Sequence, residues 1–229
     1  MNDELGVVVW LRVRDRPVLV VGGGPIALAK CAKLRAAGAR VTIVALQAVP
    51  DLAQWAARGE VIWMQRAFVP SDVAGQFLVL AATGADGIDR AVFAACEARQ
   101  VWCNSADVPD ACSTFLMAER QVGPVTLAVG TAGEAPGLAG RIADIAVRAM
   151  PAAVIDAVSN YSELRRFVLK SWPASPDRMA LLRWLAQRPW RLLGAGEILP
   201  TTIVAKMQRV ASASRRAASA PVANRAKPR

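Results

Sequence analysis

Short apolar runs alternate with longer amphipathic stretches along the first half of the chain. The runs are rich in Val, Ile, Leu and Ala, which is typical of strands buried on both faces of a parallel sheet. We predict five such strands, at residues 18–21, 40–45, 61–64, 77–83 and 101–104. Helices are predicted between them, at residues 25–37, 50–59 and 86–100. This alternation predicts an α/β fold with a parallel sheet.

The first strand runs directly into a turn of three glycines, and a helix is predicted to begin at Pro25. The spacing Gly22-x-Gly24-x-x-Ala27 fits the dinucleotide fingerprint with Ala in its third position. The first glycine permits the tight turn, and Gly24 lets the backbone approach a pyrophosphate at the helix N-terminus. The pattern therefore predicts a Rossmann-like nucleotide-binding domain, and the alternative is an ordinary strand-to-helix turn.

The end of the second strand does not decide between NAD and NADP. An NAD site commonly places an acidic residue there, and an NADP site an arginine, whereas this chain has Ala45-Leu46-Gln47. Gln47 is either a ribose ligand or a solvated loop residue. The fourth strand ends in small residues and Thr83, an arrangement that often lines a cofactor cleft.

The second half of the chain departs from the alternation. Residues 113–119 and 124–129 predict an antiparallel pair, and Thr131-Ala132-Gly133 predicts a second tight turn. Later helices are predicted at residues 136–150, 154–170, 177–187 and 200–210. We expect four parts: a nucleotide-binding domain (1–112), a dimerisation and substrate-site segment (113–150), a helical domain (151–210) and a disordered basic tail (211–229).

The positive charge of the chain is concentrated in its last third. Residues 1–163 hold 14 Lys and Arg against 16 Asp and Glu, a net of −2, and residues 164–229 hold 14 against 2, a net of +12. The tail carries no interleaved aromatic residues, which favours a solvated segment over nucleic-acid binding. No apolar run is long enough to cross a membrane, and the acidic start at residues 1–4 is unlike a signal peptide. We therefore expect a cytoplasmic protein.

The chain contains four cysteines and no histidine. No pair of cysteines forms a C-x-x-C motif, so free thiols are expected and a zinc site is not. A general base that works near neutral pH must then be a carboxylate, a thiolate or a lysine. Asp107 is the candidate, because it lies in a polar loop after the fifth strand. The alternatives are that Asp107 only caps this loop, or that Asp110 takes the role.

The order of motifs resembles the precorrin-2 dehydrogenase/sirohydrochlorin ferrochelatase module of siroheme synthase over about residues 5–190. The matching stretches share small residues, glycines and an Asn-x-x-Asp loop, and lie at 20–24, 37–42, 81–83, 104–107, 123–129 and 135–136. The resemblance implies NAD as oxidant, dehydrogenation of precorrin-2 to sirohydrochlorin, insertion of Fe²⁺ as a further step, and a homodimer.

The resemblance also implies roles for individual residues. Pro25 and Ile26 would contact the dinucleotide, as would Leu46 and Gln47. The carboxylate of Asp107 would serve both dehydrogenation and transient metal contact. The expected contacts with the tetrapyrrole are Asn104, Thr131 and Gly133.

Two segments depart from the family pattern. The family's Ser-Ser-Gly-Gly is Gly130-Thr131-Ala132-Gly133 here, and the arginine expected in the following helix is Gly140. Loss of that arginine removes a contact for a polycarboxylate substrate, and Arg141 points about 100° away on a helix. Two alternatives therefore remain open: a dehydrogenase of another modified tetrapyrrole, and an NAD-binding regulatory module without turnover.

Overall fold

The computed structural model describes residues 6–188, 193–196, 198, 201–206 and 208–209 of the 229-residue chain. The described chain forms two units. The first comprises the chain up to Met117 together with Gly130–Pro136, and the second comprises Ala118–Val129 and the chain from Gly137 onward.

The first unit is an α/β domain built on a five-stranded parallel sheet, as the sequence predicts. Its strands are β1 (Pro17–Val21), β2 (Arg40–Val44), β3 (Ile62–Met64), β4 (Leu78–Ala81) and β5 (Trp102–Ser105). Its helices are α1 (Pro25–Ala36), α2 (Pro50–Ala57) and α3 (Asp86–Glu97), and short 3₁₀ turns lie at Pro70–Val73 and Pro109–Ala111.

The strand order β3-β2-β1-β4-β5 brings the carboxyl ends of all five strands to one edge of the sheet. Alternate residues of the central strands enter two separate cores, because successive side chains of a strand point to opposite faces. Val18 and Val20 pack in the core that contains α1 and α2, and Leu19 and Val21 pack in the core that contains α3.

The second unit begins with the antiparallel strands β6 (Ala118–Val122) and β7 (Val125–Val129). Strand β6 starts five residues later than the pattern predicts, because the N–H groups of Ser113 and Thr114 both donate to the carbonyl of Cys103, at 2.9 and 3.0 Å. Helices α4 (Pro136–Ala149), α5 (Ala152–Ser171) and α6 (Pro176–Ala186) follow.

The core of the second unit lies between α5 and α6, around Leu164, Val168, Leu181 and Leu185. Residues 201–206 are helical, and the two ends of the helix predicted at 200–210 lie outside the described residues. The tail predicted at 211–229 also lies outside them. Within the part of the chain described, no helix is both long and apolar enough to cross a membrane.

Candidate active site

The glycine turn connects β1 to α1 at the carboxyl edge of the sheet. Gly22 has φ +120°, and a Cβ there would lie 2.2 Å from the carbonyl oxygen of Ala82. A Cβ on Gly23 would lie 2.0 Å from the carbonyl oxygen of Gln47. A Cβ on Gly24 would meet nothing within 4 Å. The first two glycines therefore let neighbouring backbones pack together, and Gly24 borders open space.

The N-terminus of α1 faces this open space without a side-chain cap. Gly24 is its N-cap residue and Pro25 begins the helix. The first N–H groups of a helix have no acceptor within it, and together with the helix dipole they attract an anion. The donors present and the open face of Gly24 fit the phosphates of a dinucleotide.

Two apolar side chains are exposed beside the turn. Ile26, on the first turn of α1, is 48% exposed, and Leu46, after β2, is 66% exposed. The loop that carries Leu46 and Gln47 is fixed by its backbone, since the Val49 N–H donates to the carbonyl of Gly23 at 2.8 Å. Ile26, Leu46 and Gln47 are thus exposed on the two segments that border the glycine turn.

A buried carboxylate ties the ends of β4 and β5 together. Asp89 of α3 is 1% exposed and accepts hydrogen bonds from the hydroxyls of Thr83, at 2.6 Å, and Ser105, at 3.1 Å. The Ser105 hydroxyl in turn accepts from the N–H of Val108 at 3.2 Å. These bonds fix the start of the loop on which Asp107 is exposed to solvent.

The same loop is closed by a thiol. The Ser105 N–H donates to Cys112 Sγ at 3.1 Å, and that thiol lies 3.4 Å from the Ser105 carbonyl oxygen. Burial raises the pKa of Cys112, against the opposing effect of the Ser105 N–H and the Lys30 ammonium. Burial also raises the pKa of Cys31 to about 12. Both thiols are therefore protonated near neutral pH, which leaves the exposed carboxyl groups of Asp107 and Asp110 as the candidate proton acceptors of this loop.

Lys30 reaches this edge from the second turn of α1. Its Nζ donates to Asn104 Oδ1 at 2.7 Å, and the Asn104 amide donates to the Thr114 carbonyl at 3.0 Å. Burial lowers the pKa of Lys30, and the nearby carboxylate of Asp107 partly opposes that effect. Asn104 is itself only 5% exposed, so Lys30 is the polar group of the pair nearer to solvent.

The turn predicted at Thr131-Ala132-Gly133 is present and lies against the Asp107 loop. The Glu134 N–H donates to the Thr131 carbonyl at 2.9 Å, and the Thr131 hydroxyl accepts from the Ala135 N–H at 3.2 Å. A Cβ on Gly133 would lie 3.8 Å from Pro109, two residues beyond Asp107. The first unit therefore brings the predicted residues Asn104, Thr131 and Gly133 close to the loop of Asp107.

The family pattern has an arginine at the position of Gly140. In this chain, the side chain of Arg120, from strand β6 of the second unit, lies beside Gly140 instead. Arg120 of β6 donates to the Gly140 carbonyl at 3.3 Å and to Asp144 at 2.6 Å. A side chain on Gly140 would meet this guanidinium. The pairing also lowers the pKa of Asp144, because its carboxylate accepts from Arg120.

Sequence reasoning assigned no role in the site to Lys30, Asp89 or Cys112. Lys30 and Asp89 lie in helices, where a charged residue reads as part of a solvated face. Cys112 reads as a small apolar residue. Their contacts join positions that are 7 to 74 residues apart along the chain. No cluster of three or more residues able to hold a metal is present among the residues described.

Comparisons with known proteins agree with the fold and the glycine turn. Residues 9–118, just under half of the chain, match a family described as putative NAD(P)-binding. The solved structure titled SirC, precorrin-2 dehydrogenase, shares the fold with a TM-score of 0.65 and 21% identity, covering 90% of this chain and all of that one.

Curated relatives share more sequence but are longer proteins. Siroheme synthase of Thioalkalivibrio sulfidiphilus is 40% identical over 131 residues, which is 57% of this chain and 27% of that protein. Siroheme synthase 1 of Aeromonas hydrophila is 31% identical over 205 residues, which is 90% of this chain and 42% of that protein. The chain therefore spans less than half the length of these relatives. These matches identify it as a relative of the N-terminal module of siroheme synthase.

Proposed function

We propose that this relative of the N-terminal module of siroheme synthase oxidises precorrin-2 to sirohydrochlorin with NAD⁺ as the oxidant. The observation that carries the proposal is the position of Asp107. Its exposed carboxylate lies on a loop fixed by Asp89 and Ser105, at the same sheet edge as the open glycine turn. A proton acceptor and a dinucleotide site are thereby combined at one edge.

The reaction removes a hydride and a proton from the substrate. When bound, NAD⁺ supplies the hydride acceptor. The backbone around Gly24 and the N-terminus of α1 hold the phosphates, and Thr83 and Gln47 lie at the ends of β4 and β2 to orient the rest of the dinucleotide. The carboxylate of Asp107 accepts the proton that leaves the macrocycle.

We infer that the cofactor is NAD rather than NADP. Leu46 and Gln47 follow β2 and supply neither the arginine of an NADP site nor the acidic residue of an NAD site, so the choice of NAD rests on the resemblance to the precorrin-2 dehydrogenase family. The amide of Gln47 can donate to and accept from ribose hydroxyls. Titration with both dinucleotides tests this, and tighter binding of NADP⁺ than of NAD⁺ would overturn it.

Turnover is tested by mixing the full chain with anaerobically generated precorrin-2 and NAD⁺ and following NADH together with the tetrapyrrole spectrum. Asp107→Asn should lower kcat by roughly 100-fold or more while NAD⁺ still binds, because a general base commonly contributes about that factor. Asp110→Asn, on the same loop, is the matched control and should retain kcat. The reverse result would transfer the role to Asp110.

The same assay separates the alternatives. Binding of NAD⁺ without oxidation of precorrin-2 would support a regulatory module. Turnover of a different reduced tetrapyrrole would support a dehydrogenase of another substrate. That alternative is motivated by the departures from the family pattern at Ala132 and Gly140.

We also propose Fe²⁺ insertion into sirohydrochlorin as a second activity, with the metal as substrate. The exposed carboxylate of Asp107 is suited both to taking pyrrole protons and to contacting a divalent ion transiently. The test is the rate of siroheme formation from Fe²⁺ and sirohydrochlorin. A rate no higher than the uncatalysed one would rule this activity out.

A homodimer is proposed from the exposed face of α4. Leu138, Ile142 and Ile145 are 51%, 45% and 60% exposed and repeat at helical spacing along one face. Sedimentation should show a dimer that Ile145→Asp dissociates. Met179→Asp, at a residue 50% exposed on α6, should leave it intact. We place this dimer in the cytoplasm, in keeping with the four free cysteines.

A further inference from the structure

Lys30 and Asn104 form a polar pair at the carboxyl edge of the sheet, and the proposed dehydrogenation gives Lys30 no role. The ammonium of Lys30 donates to Asn104 Oδ1 at 2.7 Å across 74 residues of sequence. The Asn104 side chain is itself held in place, because its amide donates to the Thr114 carbonyl at 3.0 Å and the side chain is almost fully buried. Lys30 is therefore held at one place on the carboxyl edge.

The ammonium has donors to spare. A protonated lysine carries three N–H donors. Among the residues that the structure describes, Asn104 is its one hydrogen-bond acceptor, and it forms no ion pair within 4.0 Å there. A partly buried cation with unused donors is costly unless an anion completes its surroundings.

The charged groups near Lys30 do not supply this anion. Asp107 acts on Lys30 only through space, and its effect on the pKa of Lys30 is smaller than that of burial. The Cys112 thiol is protonated near neutral pH, since burial raises its pKa. An exposed oxyanion from outside the chain would therefore find a cation that is fixed and incompletely paired.

We propose that Lys30, positioned by Asn104, is a binding subsite for one carboxylate of the substrate. The inference rests on the proposed function, in which the substrate is a polycarboxylate tetrapyrrole. The carboxylate would accept the free Lys30 donors, and the charge-assisted bonds would fix the macrocycle beside Asp107.

A cofactor phosphate is the other oxyanion that this subsite could take, and the strand order argues against it. The glycine turn follows β1, whereas Asn104 lies on β5, with β4 between them. Adjacent strands are about 4.8 Å apart, so the bond to Asn104 draws the ammonium toward a strand roughly 10 Å from the one that carries the glycine turn.

The test compares Lys30→Met with Lys33→Met, which removes the same charge from an exposed position of the same helix. Binding of sirohydrochlorin is measured by quenching of tryptophan fluorescence, and binding of NAD⁺ by calorimetry, both without turnover. Lys30→Met should weaken sirohydrochlorin binding by roughly 10- to 100-fold and leave NAD⁺ binding within about twofold, because a charge-assisted bond is lost from one ligand only. Lys33→Met should change neither, and Lys30→Arg should restore part of the affinity.

Each other outcome overturns the subsite. Weaker NAD⁺ binding with unchanged sirohydrochlorin binding would assign Lys30 to a phosphate. Unchanged binding of both would leave Lys30 as a support for Asn104 alone. If Lys30→Met does not fold, acetylation of the parent protein followed by mass spectrometry replaces it. Sirohydrochlorin, and not NAD⁺, should then protect Lys30, and lack of protection would reject the subsite.

Failure of the proposed function is distinguishable from failure of this inference. If the parent protein neither binds sirohydrochlorin nor oxidises precorrin-2, the proposed function fails. If the parent does both and Lys30→Met binds sirohydrochlorin normally, the subsite alone fails.

Discussion

The hydroxyl of Ser105 lies 3.1 Å from Asp89 Oδ2 and connects a buried carboxylate to the loop of Asp107. The hydroxyl donates to Asp89 and accepts from the Val108 N–H at 3.2 Å, so it acts as both a hydrogen-bond donor and an acceptor. Asp89 also holds Thr83 at the end of the neighbouring strand. The geometry on both sides of the proposed reaction centre therefore depends on one side chain of α3.

Ser105→Ala removes this connection. The Val108 N–H would lose its acceptor and Asp89 one of its donors, both in buried positions, so we expect a loss of about 1–3 kcal/mol in the free energy of unfolding. Urea denaturation measures it. Ser71→Ala makes the same chemical change at an exposed position and should stay within about 0.5 kcal/mol of the parent. Equal effects at the two sites would show that the Ser105 contacts do not stabilise the loop.

The three glycines should separate folding from cofactor binding. Gly24→Ala is expected to fold normally, because the residue has φ −82° and ψ −174° and its Cβ would enter open space. NAD⁺ binding should weaken by roughly 10- to 100-fold, since the methyl group occupies the place of a phosphate. Gly23→Ala should instead destabilise the domain by about 3 kcal/mol or more, because its Cβ would overlap the Gln47 carbonyl.

Thermal unfolding and calorimetry on these two variants give the result directly. Unchanged NAD⁺ affinity in a folded Gly24→Ala variant would contradict the placement of the phosphates.

Ala132→Gly should stabilise the protein. Ala132 has φ +50°, a left-handed conformation that costs an L-residue about 1–2 kcal/mol and that glycine adopts readily. After the entropy cost of glycine, we expect a gain of about 0.5–1 kcal/mol. Ala91→Gly, on the exposed face of α3, makes the same change in a helix and should lose about 1 kcal/mol. Chemical denaturation of the pair should therefore give shifts of opposite sign.

The ion pair between Arg66 and Asp72, which follows β3, should make the free energy of unfolding depend on pH in the acidic range. Arg66 donates to both carboxylate oxygens of Asp72, at 2.6 and 2.8 Å, and the Val69 N–H donates to one of them at 3.0 Å. The Arg66 hydrogen bonds, more than the Val69 N–H, lower the pKa of Asp72 against the effect of burial. The unfolded chain, with an Asp pKa of about 3.9, takes up its proton first as the pH falls.

The contribution of Asp72 is therefore fully present above about pH 5 and is lost as the pH falls below the usual Asp range. Asp72→Asn should be less stable than the parent at pH 7, and the difference should shrink below about pH 4. Asp51→Asn, at an exposed carboxylate, serves as the control. A difference between Asp72→Asn and the parent that stays constant down to pH 3 would refute this account.

The parallel sheet and the glycine turn were predictable because their signals are local. Strands buried on both faces read as apolar runs, and a strand followed by Gly22-Gly23-Gly24 leaves few alternatives to a tight turn into a helix. The tight turn at Thr131-Ala132-Gly133 was likewise predicted from small residues alone, although its left-handed φ at Ala132 was not. These features depend on neighbours within a few positions of the chain.

The polar connections of the candidate site were not predictable in the same way. Lys30 and Asn104 are 74 residues apart, and which of two helical lysines, Lys30 or Lys33, reaches the sheet depends on how α1 packs. In the sequence, Asp89 is one of two acidic residues in the first turn of α3. Its role as a buried hydrogen-bond acceptor is seen only in the fold, where Ser105 lies beside it. The start of β6 was mispredicted for a similar reason, because the Cys103 carbonyl takes the N–H groups of Ser113 and Thr114.

The loop after β2 is attached to the glycine turn through main-chain groups, by the Val49 bond to Gly23 and by the close packing of Gly23 on Gln47. The side chains of Leu46 and Gln47 are exposed and take no part in this attachment. Cofactor preference can therefore drift, or be redesigned, almost independently of folding. An acidic residue or an arginine at position 47 would alter which dinucleotide is chosen without loosening the turn that receives it.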